Sequence, residues 1–147
     1  MYTIKIISGN PCFADEIFSL EKECFGDFWS LELISSELEQ SKSLYIVCES
    51  DSKVTGYLNA SVVLDEAQLN RIAVSKEYRQ KGIGTKLLSY LIDYLKTQSC
   101  TGVFLEVRSN NENAIKLYKS FGFVTDGIRK KYYHNPDDDA VLMSLTL

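Results

Sequence analysis

The stretch RIAVSKEYRQKGIGTKLL, residues 71–88, joins an apolar strand to an amphipathic helix through a loop that contains Gly82 and Gly84. Because glycine lacks a Cβ atom, such a loop lets backbone N–H groups come close to an anion. The N-terminus of the helix adds N–H groups without intrahelical partners and the positive end of the helix dipole. The stretch therefore predicts a cradle for a phosphate or pyrophosphate group.

Two other kinds of glycine-rich loop fit this stretch less well. A dinucleotide-binding GxGxxG loop requires a third glycine where Leu87 stands. A P-loop requires a glycine in place of Arg79 and a Lys-Ser or Lys-Thr pair directly after Gly84. Here Thr85 and Lys86 follow in the opposite order. A simple structural turn would use the same two glycines, so the loop alone does not exclude it.

Hydrophobic spacing along the chain switches between helical and strand periods. Helices are predicted at residues 13–24, 30–40, 83–95 and 111–120, and strands at residues 2–7, 44–49, 54–63, 68–74, 102–107, 123–133 and 140–147. The order β α α β β β α β α β β predicts an α/β fold with a mixed sheet of six or seven strands and helices on both faces. A chain of 147 residues fits a single domain spanning residues 1–147.

Composition excludes several classes of protein. The chain is 45% hydrophobic and 24% charged, and it contains neither a signal-peptide pattern nor the roughly 18 consecutive apolar residues of a membrane span. We therefore expect a cytoplasmic protein without a membrane partner. The four cysteines form no CxxC pair and His134 is the only histidine, so we expect reduced, buried thiols and no metal site.

Charge is distributed unevenly. Residues 71–86 carry five basic side chains and one acidic side chain, a local charge of +4, although the whole chain has a net charge of -4. A basic patch around the glycine loop suits a ligand rich in phosphate, whereas the acidic remainder argues against direct nucleic-acid binding.

A second stretch, LEVRSNNENAIKLYKSFGF at residues 105–123, completes a pattern. With the loop at residues 79–84, which matches [QR]xxGx[GA], it resembles the GNAT acetyltransferases. The resemblance implies the GNAT fold and acetyl-CoA as co-substrate, with pantetheine along residues 72–74 and pyrophosphate on the glycine loop. The cofactor-binding residues so implied are Ile72, Ala73, Val74, Arg79, Gln80, Lys81, Gly82, Ile83, Gly84, Thr85 and Asn111. From the residues alone, Ile72 and Val74 could be core residues, which is compatible with binding through their backbone, and Asn111 could equally be a helix cap or a turn residue.

Two side chains are candidates for the chemistry. Acetyl transfer to an amine requires removal of a proton from the amine and protonation of the leaving thiolate. The resemblance implies Glu106 as proton acceptor and Tyr118 as proton donor. An α-amine has a pKa near 8 and a free glutamate one near 4.3, so a water relay is favoured over direct abstraction. Without the resemblance, Glu106 would be interpreted as a surface carboxylate beside Arg108, and Tyr118 as a packing residue.

Further segments are similar to RimI-type enzymes, which acetylate the N-terminal alanine of small-subunit ribosomal protein number eighteen. They are VVLDEA at residues 62–67, RIAV, LEVRSNN, AIKLY, and the tail at residues 129–145 with its Tyr132-Tyr133 pair. The element CFGDFWS departs from the family's FPWS, with Asp27 and Phe28 in place of Phe-Pro. The resemblance implies a basic ribosomal-protein tail as acceptor. Acidic residues at 65–66 and 137–139 could attract such a tail, and ordinary solvated loops would explain them equally well.

Two other functions remain open from the sequence. The same cradle could serve acetylation of a lysine or of a small-molecule amine. Alternatively, the chain could be an acyl-CoA sensor or interaction module without turnover, although the presence of both Glu106 and Tyr118 argues against it. We expect a monomer or a weak dimer.

Overall fold

The structure, a computed structural model, describes residues 1–40 and 43–147. Its strands are β1 (Thr3–Ile6), β2 (Ser43–Ser50), β3 (Lys53–Val63), β4 (Glu66–Val74), β5 (Gly102–Arg108), β6 (Val124–Tyr133) and β7 (Asp138–Thr146). Its α-helices are α1 (Ala14–Cys24), α2 (Leu31–Glu39), α3 (Ile83–Thr97) and α4 (Glu112–Ser120), and short 3-10 turns occupy Pro11–Phe13 and Lys76–Tyr78. The predicted element order is confirmed.

The seven strands form one sheet in the order β1-β2-β3-β4-β5-β7-β6. Every neighbouring pair is antiparallel except β4 and β5, which run parallel. Parallel neighbours require a crossover connection, and α3 supplies it. The predicted mixed sheet is therefore confirmed, at the upper of the two expected strand numbers.

Helices cover both faces of the sheet. On one face, α1 and α2 bury Ile17 and Ile34 against Tyr45 and Tyr57 of the central strands. On the other face, α3 packs its stripe of leucines and isoleucines against alternate residues of β2 to β5, together with Tyr118 of α4. The period-two alternation of β2 and β3 thus divides their side chains between two apolar cores.

Local signals define the helix ends. The side chain of Ser30 accepts a hydrogen bond from the Leu33 N–H at 3.1 Å and caps α2. Gly122, with φ +98°, follows α4 and lets the chain reverse into β6. Both caps were predicted from the sequence.

The expectation of four buried thiols is wrong in part. All four cysteines are free, but Cys12 is exposed and Cys24 is only partly buried, whereas Cys48 and Cys100 lie in the core. Cys12 belongs to the 3-10 turn before α1, which has no buried residue. Cys24 lies at the C-terminal end of α1, beside a groove.

Candidate active site

A groove of about 730 Å³ lies between the end of β4, the start of α3 and the start of α4. Ten of the eleven predicted cofactor-binding residues line it, namely Ile72, Ala73, Val74, Arg79, Gln80, Gly82, Ile83, Gly84, Thr85 and Asn111. The eleventh, Lys81, is not part of the lining, and its ammonium lies 5.4 Å from the ring centroid of Tyr78. The structure thus brings two separate sequence stretches together on one surface.

The glycine loop turns into α3 with backbone angles that suit an anion site. Gly82 is the N-cap of α3 with φ +80°, and Gln80 also has a positive φ, +61°. The N–H groups of Ile83, Gly84 and Thr85 belong to the first helical turn, where no intrahelical acceptor is available. They are consequently free to bind an anion at the positive end of the helix.

Gly84 keeps the groove open. A Cβ atom built at Gly84 would lie 3.5 Å from Cδ2 of Leu117 on α4. Both residues line the groove, so a side chain at Gly84 would fill the space between the two helices. The φ of Gly84 is not in the left-handed region, so its backbone angles do not require glycine. The space between the two helices is what the missing side chain preserves.

Asn111 combines a structural role with a place in the groove. It is the N-cap of α4, and its Oδ1 accepts a hydrogen bond from the Ala114 N–H at 3.2 Å. Its amide nitrogen remains available to a ligand. The cap and the binding role, which the sequence left as alternatives, are therefore compatible in one side chain.

Arg79 is held at the end of β4. Its Nε donates to the Val74 carbonyl oxygen at 3.0 Å, and its Nη2 lies 3.5 Å from Sγ of Cys24. The Cys24 thiol also donates to the Val74 carbonyl, at 3.5 Å. Burial raises the pKa of this thiol, so it remains protonated near neutral pH. These contacts align the basic first residue of the loop with the groove.

The sheet separates next to this groove. Parallel pairing of β4 with β5 runs from Glu66 opposite Gly102 to Leu69 opposite Leu105. Beyond Leu69 and Leu105 both strands continue, but no further pair between them is formed in the described part of the chain. A gap therefore opens between the two strands. Residues 70–74 of β4 lie on one side of this gap, and Glu106 is the first residue of β5 on its other side.

Glu106 lies on the wall formed by β5, β6 and β7. Its side chain is 27% exposed, and Oε1 is 3.7 Å from Nη1 of Arg129 on β6. The Glu106 carboxylate is the main cause that raises the pKa of Tyr132. Burial, followed by the charge of Glu106, raises the pKa of Tyr133 to about 12. Glu106 thus faces the tyrosine pair rather than the core.

Tyr118 is almost completely buried, with 5% of its surface exposed. Its ring centroid lies 5.7 Å from that of Phe123. Burial raises the pKa of its hydroxyl, and the neighbouring Tyr133 adds to this effect. The phenol is therefore protonated at neutral pH and can act as a hydrogen-bond donor.

Contacts that the sequence did not predict fix the hairpin between β6 and β7. The guanidinium of Arg108 donates to the carbonyl oxygens of Pro136 at 2.7 Å and His134 at 3.2 Å. It also lies 4.5 Å from the centroid of the Tyr133 ring. Asp138 accepts hydrogen bonds from the Ser109 hydroxyl and from the Asn110 N–H. The loop that carries Tyr133 is consequently tied to the end of β5.

Further groove residues were missed, for two reasons. Cys24 and Phe25 come from the end of α1, and only the tertiary structure brings them to β4. Asn113, Ala114 and Leu117 follow Asn111 on one side of α4. Helical spacing could have identified two of them, because Ala114 lies three residues after Asn111 and Leu117 three residues after Ala114.

The family model for the acetyltransferase (GNAT) family matches residues 14–123. The chain belongs to the GNAT family. It is an acetyl-CoA-dependent N-acetyltransferase, and the open cradle at Gly84 fits the phosphate groups of acetyl-CoA. Within residues 1–40 and 43–147 no cluster of metal-binding side chains is present, and no helix is long and apolar enough to cross a membrane.

Individual GNAT relatives cover nearly the whole chain. The ribosomal protein bS18-alanine N-acetyltransferase of Escherichia coli strain K12 is 35% identical over 132 residues, 88% of each chain. The enzyme of the same name from Salmonella typhimurium is 34% identical over 149 residues, covering 100% of this chain and 99% of its own. A crystal structure of the ribosomal-protein-S18-alanine N-acetyltransferase from Escherichia coli superposes with a TM-score of 0.92 at 32% identity, over 99% of this chain and 94% of that chain.

Proposed function

We propose that this GNAT enzyme acetylates the N-terminal α-amine of a protein, and that its acceptor is the N-terminal alanine of ribosomal protein bS18. The observation that carries this proposal is the relatives' shared name, together with their identity of 34 to 35% over most of the chain. A ribosomal-protein acceptor implies that the reaction takes place in the cytoplasm. It also implies a basic tail as the partner that the acidic surface would attract.

The cofactor is assigned to the groove. The strand segment Ile72–Val74 would hold the pantetheine arm through its backbone, and the first turn of α3 would hold the pyrophosphate. Arg79 and Lys81 would contribute positive charge at the same end of the groove. The supporting observation is that the lining residues from β4, the glycine loop and α4 form one continuous surface.

Glu106 is proposed to accept the proton of the acceptor amine through a water molecule. Parallel pairing ends at Leu105, so Glu106 is the first residue of β5 beside the gap. A thioester carried along Ile72–Val74 and an amine entering the gap would meet there. Replacement of Glu106 by Gln keeps the size of the side chain and removes the base. We expect kcat to fall by about 100-fold or more, whereas a Glu106→Gln enzyme with its full rate would exclude this role.

Tyr118 is proposed to donate a proton to the thiolate of the departing CoA. Burial raises the pKa of its hydroxyl, so the hydroxyl is protonated at neutral pH and can donate. A thiol has a pKa near 8.5, well below that of this phenol. The proton would therefore be shared between the phenol and the leaving thiolate while the thioester bond breaks, and would not be transferred before that bond breaks. Direct transfer of the acetyl group requires no cysteine nucleophile.

The proposal is tested by measuring release of the CoA thiol with acetyl-CoA and a short peptide copied from the N-terminus of the host's bS18 protein. The control is the same peptide with a blocked N-terminus and its lysines intact. Turnover on the free peptide alone supports α-amine acetylation. Turnover on both peptides would instead indicate lysine acetylation. If CoA binds in calorimetry but neither peptide reacts, the acceptor is another amine and the proposed acceptor is refuted.

A further inference from the structure

A buried carboxylate organises the segment between α1 and α2. Glu21 on α1 has no exposed surface. Its Oε1 accepts a hydrogen bond from the Trp29 N–H at 2.8 Å, and its Oε2 accepts one from the Tyr57 hydroxyl. Nη2 of Arg71 lies 3.4 Å from Oε1. Because a buried charge is tolerated only when it is paired, Arg71 serves to neutralise Glu21.

The same guanidinium holds a second acidic residue. Nη2 of Arg71 donates to the Asp27 backbone carbonyl at 2.9 Å, and Nη1 lies 3.5 Å from Asp27 Oδ1. The guanidinium carbon is 4.2 Å from the ring centroid of Phe25 and 4.7 Å from that of Trp29. Arg71 is thus held between two aromatic rings, and it fixes residues 25–29 against β4.

One cation therefore faces two carboxylates. The side chain of Glu21 is 0% exposed, whereas that of Asp27 is 65% exposed. Since Arg71 can neutralise only one of them, a net negative charge remains on this group. It is displayed at Asp27, where a ligand can reach it.

Asp27 belongs to the wall of the gap that faces Glu106. Arg71 is the second residue of β4 after parallel pairing ends at Leu69, and Glu106 is the first of β5 after it ends at Leu105. Phe25, two residues before Asp27, lines the cofactor groove. An acceptor that enters the gap would therefore pass Asp27.

Cations on the opposite wall are already engaged. Arg129 pairs with Glu106 at 3.7 Å and lies 5.0 Å from the Tyr132 ring centroid. Arg108 is held by the carbonyl oxygens of the β6–β7 loop. Glu106 is thus paired with its own cation, whereas Asp27 shares the single cation Arg71 with Glu21.

We propose that Asp27 is a specificity-determining residue that favours acceptor chains with a cationic side chain at their second or third residue. The inference rests on the proposed function. With the α-amine of the acceptor at Glu106, the residues that follow it would leave the gap alongside residues 25–29. An extended chain rises about 3.3 Å per residue. The second and third side chains are therefore within reach of the rim of the gap, where Asp27 lies.

The test compares two acceptor peptides that begin with alanine. One has arginine at its second and third residues, and the other has citrulline, which has nearly the same shape without the charge. For the wild-type enzyme we expect kcat/KM to be about five-fold higher for the arginine peptide at low salt, as for an exposed ion pair. The ratio should approach one in 0.5 M NaCl, because salt screens an exposed pair.

Three variants locate the effect. Asp27→Asn should bring the ratio to about one, because the charge is removed whereas the contact of Arg71 with the backbone carbonyl of residue 27 remains. Asp27→Glu keeps the charge and should restore most of the preference. Asp93→Asn removes an equal charge from an exposed position on α3, and should leave the wild-type ratio unchanged.

The two proposals fail in different ways. A wild-type ratio near one, or an Asp27→Asn enzyme with the wild-type ratio, would refute the role of Asp27 while peptide acetylation stands. A loss of preference in Asp93→Asn equal to that in Asp27→Asn would also refute it, because net charge alone would then explain the effect. If the wild-type enzyme acetylates neither peptide, the proposed function fails and this inference fails with it.

Discussion

Replacing Gly84 by Ala should separate cofactor binding from folding. Gly84 is the second residue of α3, and a Cβ atom there would have its nearest contact with Leu117 at 3.5 Å, an ordinary van der Waals distance. Alanine is the better helix former by up to about 1 kcal/mol. The folded protein should accordingly be as stable as the wild type, with a Tm raised by no more than about 4 °C.

Binding of acetyl-CoA should weaken in the same variant. The added methyl group occupies the space between α3 and α4 in which the pyrophosphate is proposed to lie. If it displaces the anion from a single N–H group, the loss is that of one hydrogen bond to a charged group, about 1.5–3 kcal/mol. The Kd for CoA should then rise by about 10-fold to 100-fold.

Calorimetric titration with CoA and a thermal melt measure the two effects. The matched control is Gly127→Ala on β6, where a new Cβ atom has no neighbour within 4 Å, and its Kd should equal that of the wild type. A Gly84→Ala protein that binds CoA with the wild-type Kd would refute the assignment of the cradle. A Tm many degrees below that of the wild type would refute the claim that Gly84 is required for ligand binding and not for folding.

Three further variants test other contacts. Tyr118→Phe keeps the packing on Phe123 and should lower kcat by about 100-fold or more with an unchanged KM for acetyl-CoA; an unaltered kcat would leave Tyr118 with a packing role only. Because burial raises the pKa of the Tyr118 hydroxyl, the wild-type rate should show no loss from ionisation of this group up to pH 9. Tyr57→Phe removes a donor from buried Glu21 and should lower the free energy of unfolding by about 1–3 kcal/mol in urea titrations, a result that a wild-type midpoint would contradict. The Ser109 hydroxyl, as the largest cause, lowers the pKa of Asp138 below its ordinary value of 3.8, so ionised Asp138 stabilises the folded protein above about pH 4 and this contribution is lost as the pH falls through the lowered pKa. Between pH 4 and pH 2 the urea midpoint of Asp138→Asn should therefore fall less steeply than that of the wild type, and equal slopes would exclude the contribution.

The sequence contained enough information for the order of elements because each one has a strong local signal. The leucines and isoleucines of α3 recur on one helix face, and Ser30 and Gly122 mark helix ends. The alternation in β5 was informative too, since Val103, Leu105 and Val107 are buried whereas Phe104 and Glu106 are not. Glu106 could have been assigned to the opposite face on that basis alone.

The contacts between distant segments could not be predicted in the same way. Arg71 belongs to the basic stretch at residues 71–86, yet its guanidinium points to the α1 face of the sheet and pairs with Glu21 and Asp27. Those partners lie 44 to 50 residues earlier in the sequence. No local rule connects such positions, because the pairing depends on how α1 crosses the sheet.

In the proposed reaction, the separation of β4 from β5 brings the cofactor and the acceptor to the same gap. Where two neighbouring strands stop pairing, their backbone groups become available, and Ile72–Val74 can offer theirs to the pantetheine arm. The same separation exposes Glu106 on one wall and leaves the other wall to be completed by residues 25–29, which Arg71 holds in place. Because Arg71 directly precedes Ile72, the strand that would bind the cofactor also fixes the acceptor wall. A change at Arg71 should therefore affect acceptor KM more than cofactor KM, since the guanidinium contacts residues 21–29 whereas the backbone of Ile72–Val74 is kept in place by β3.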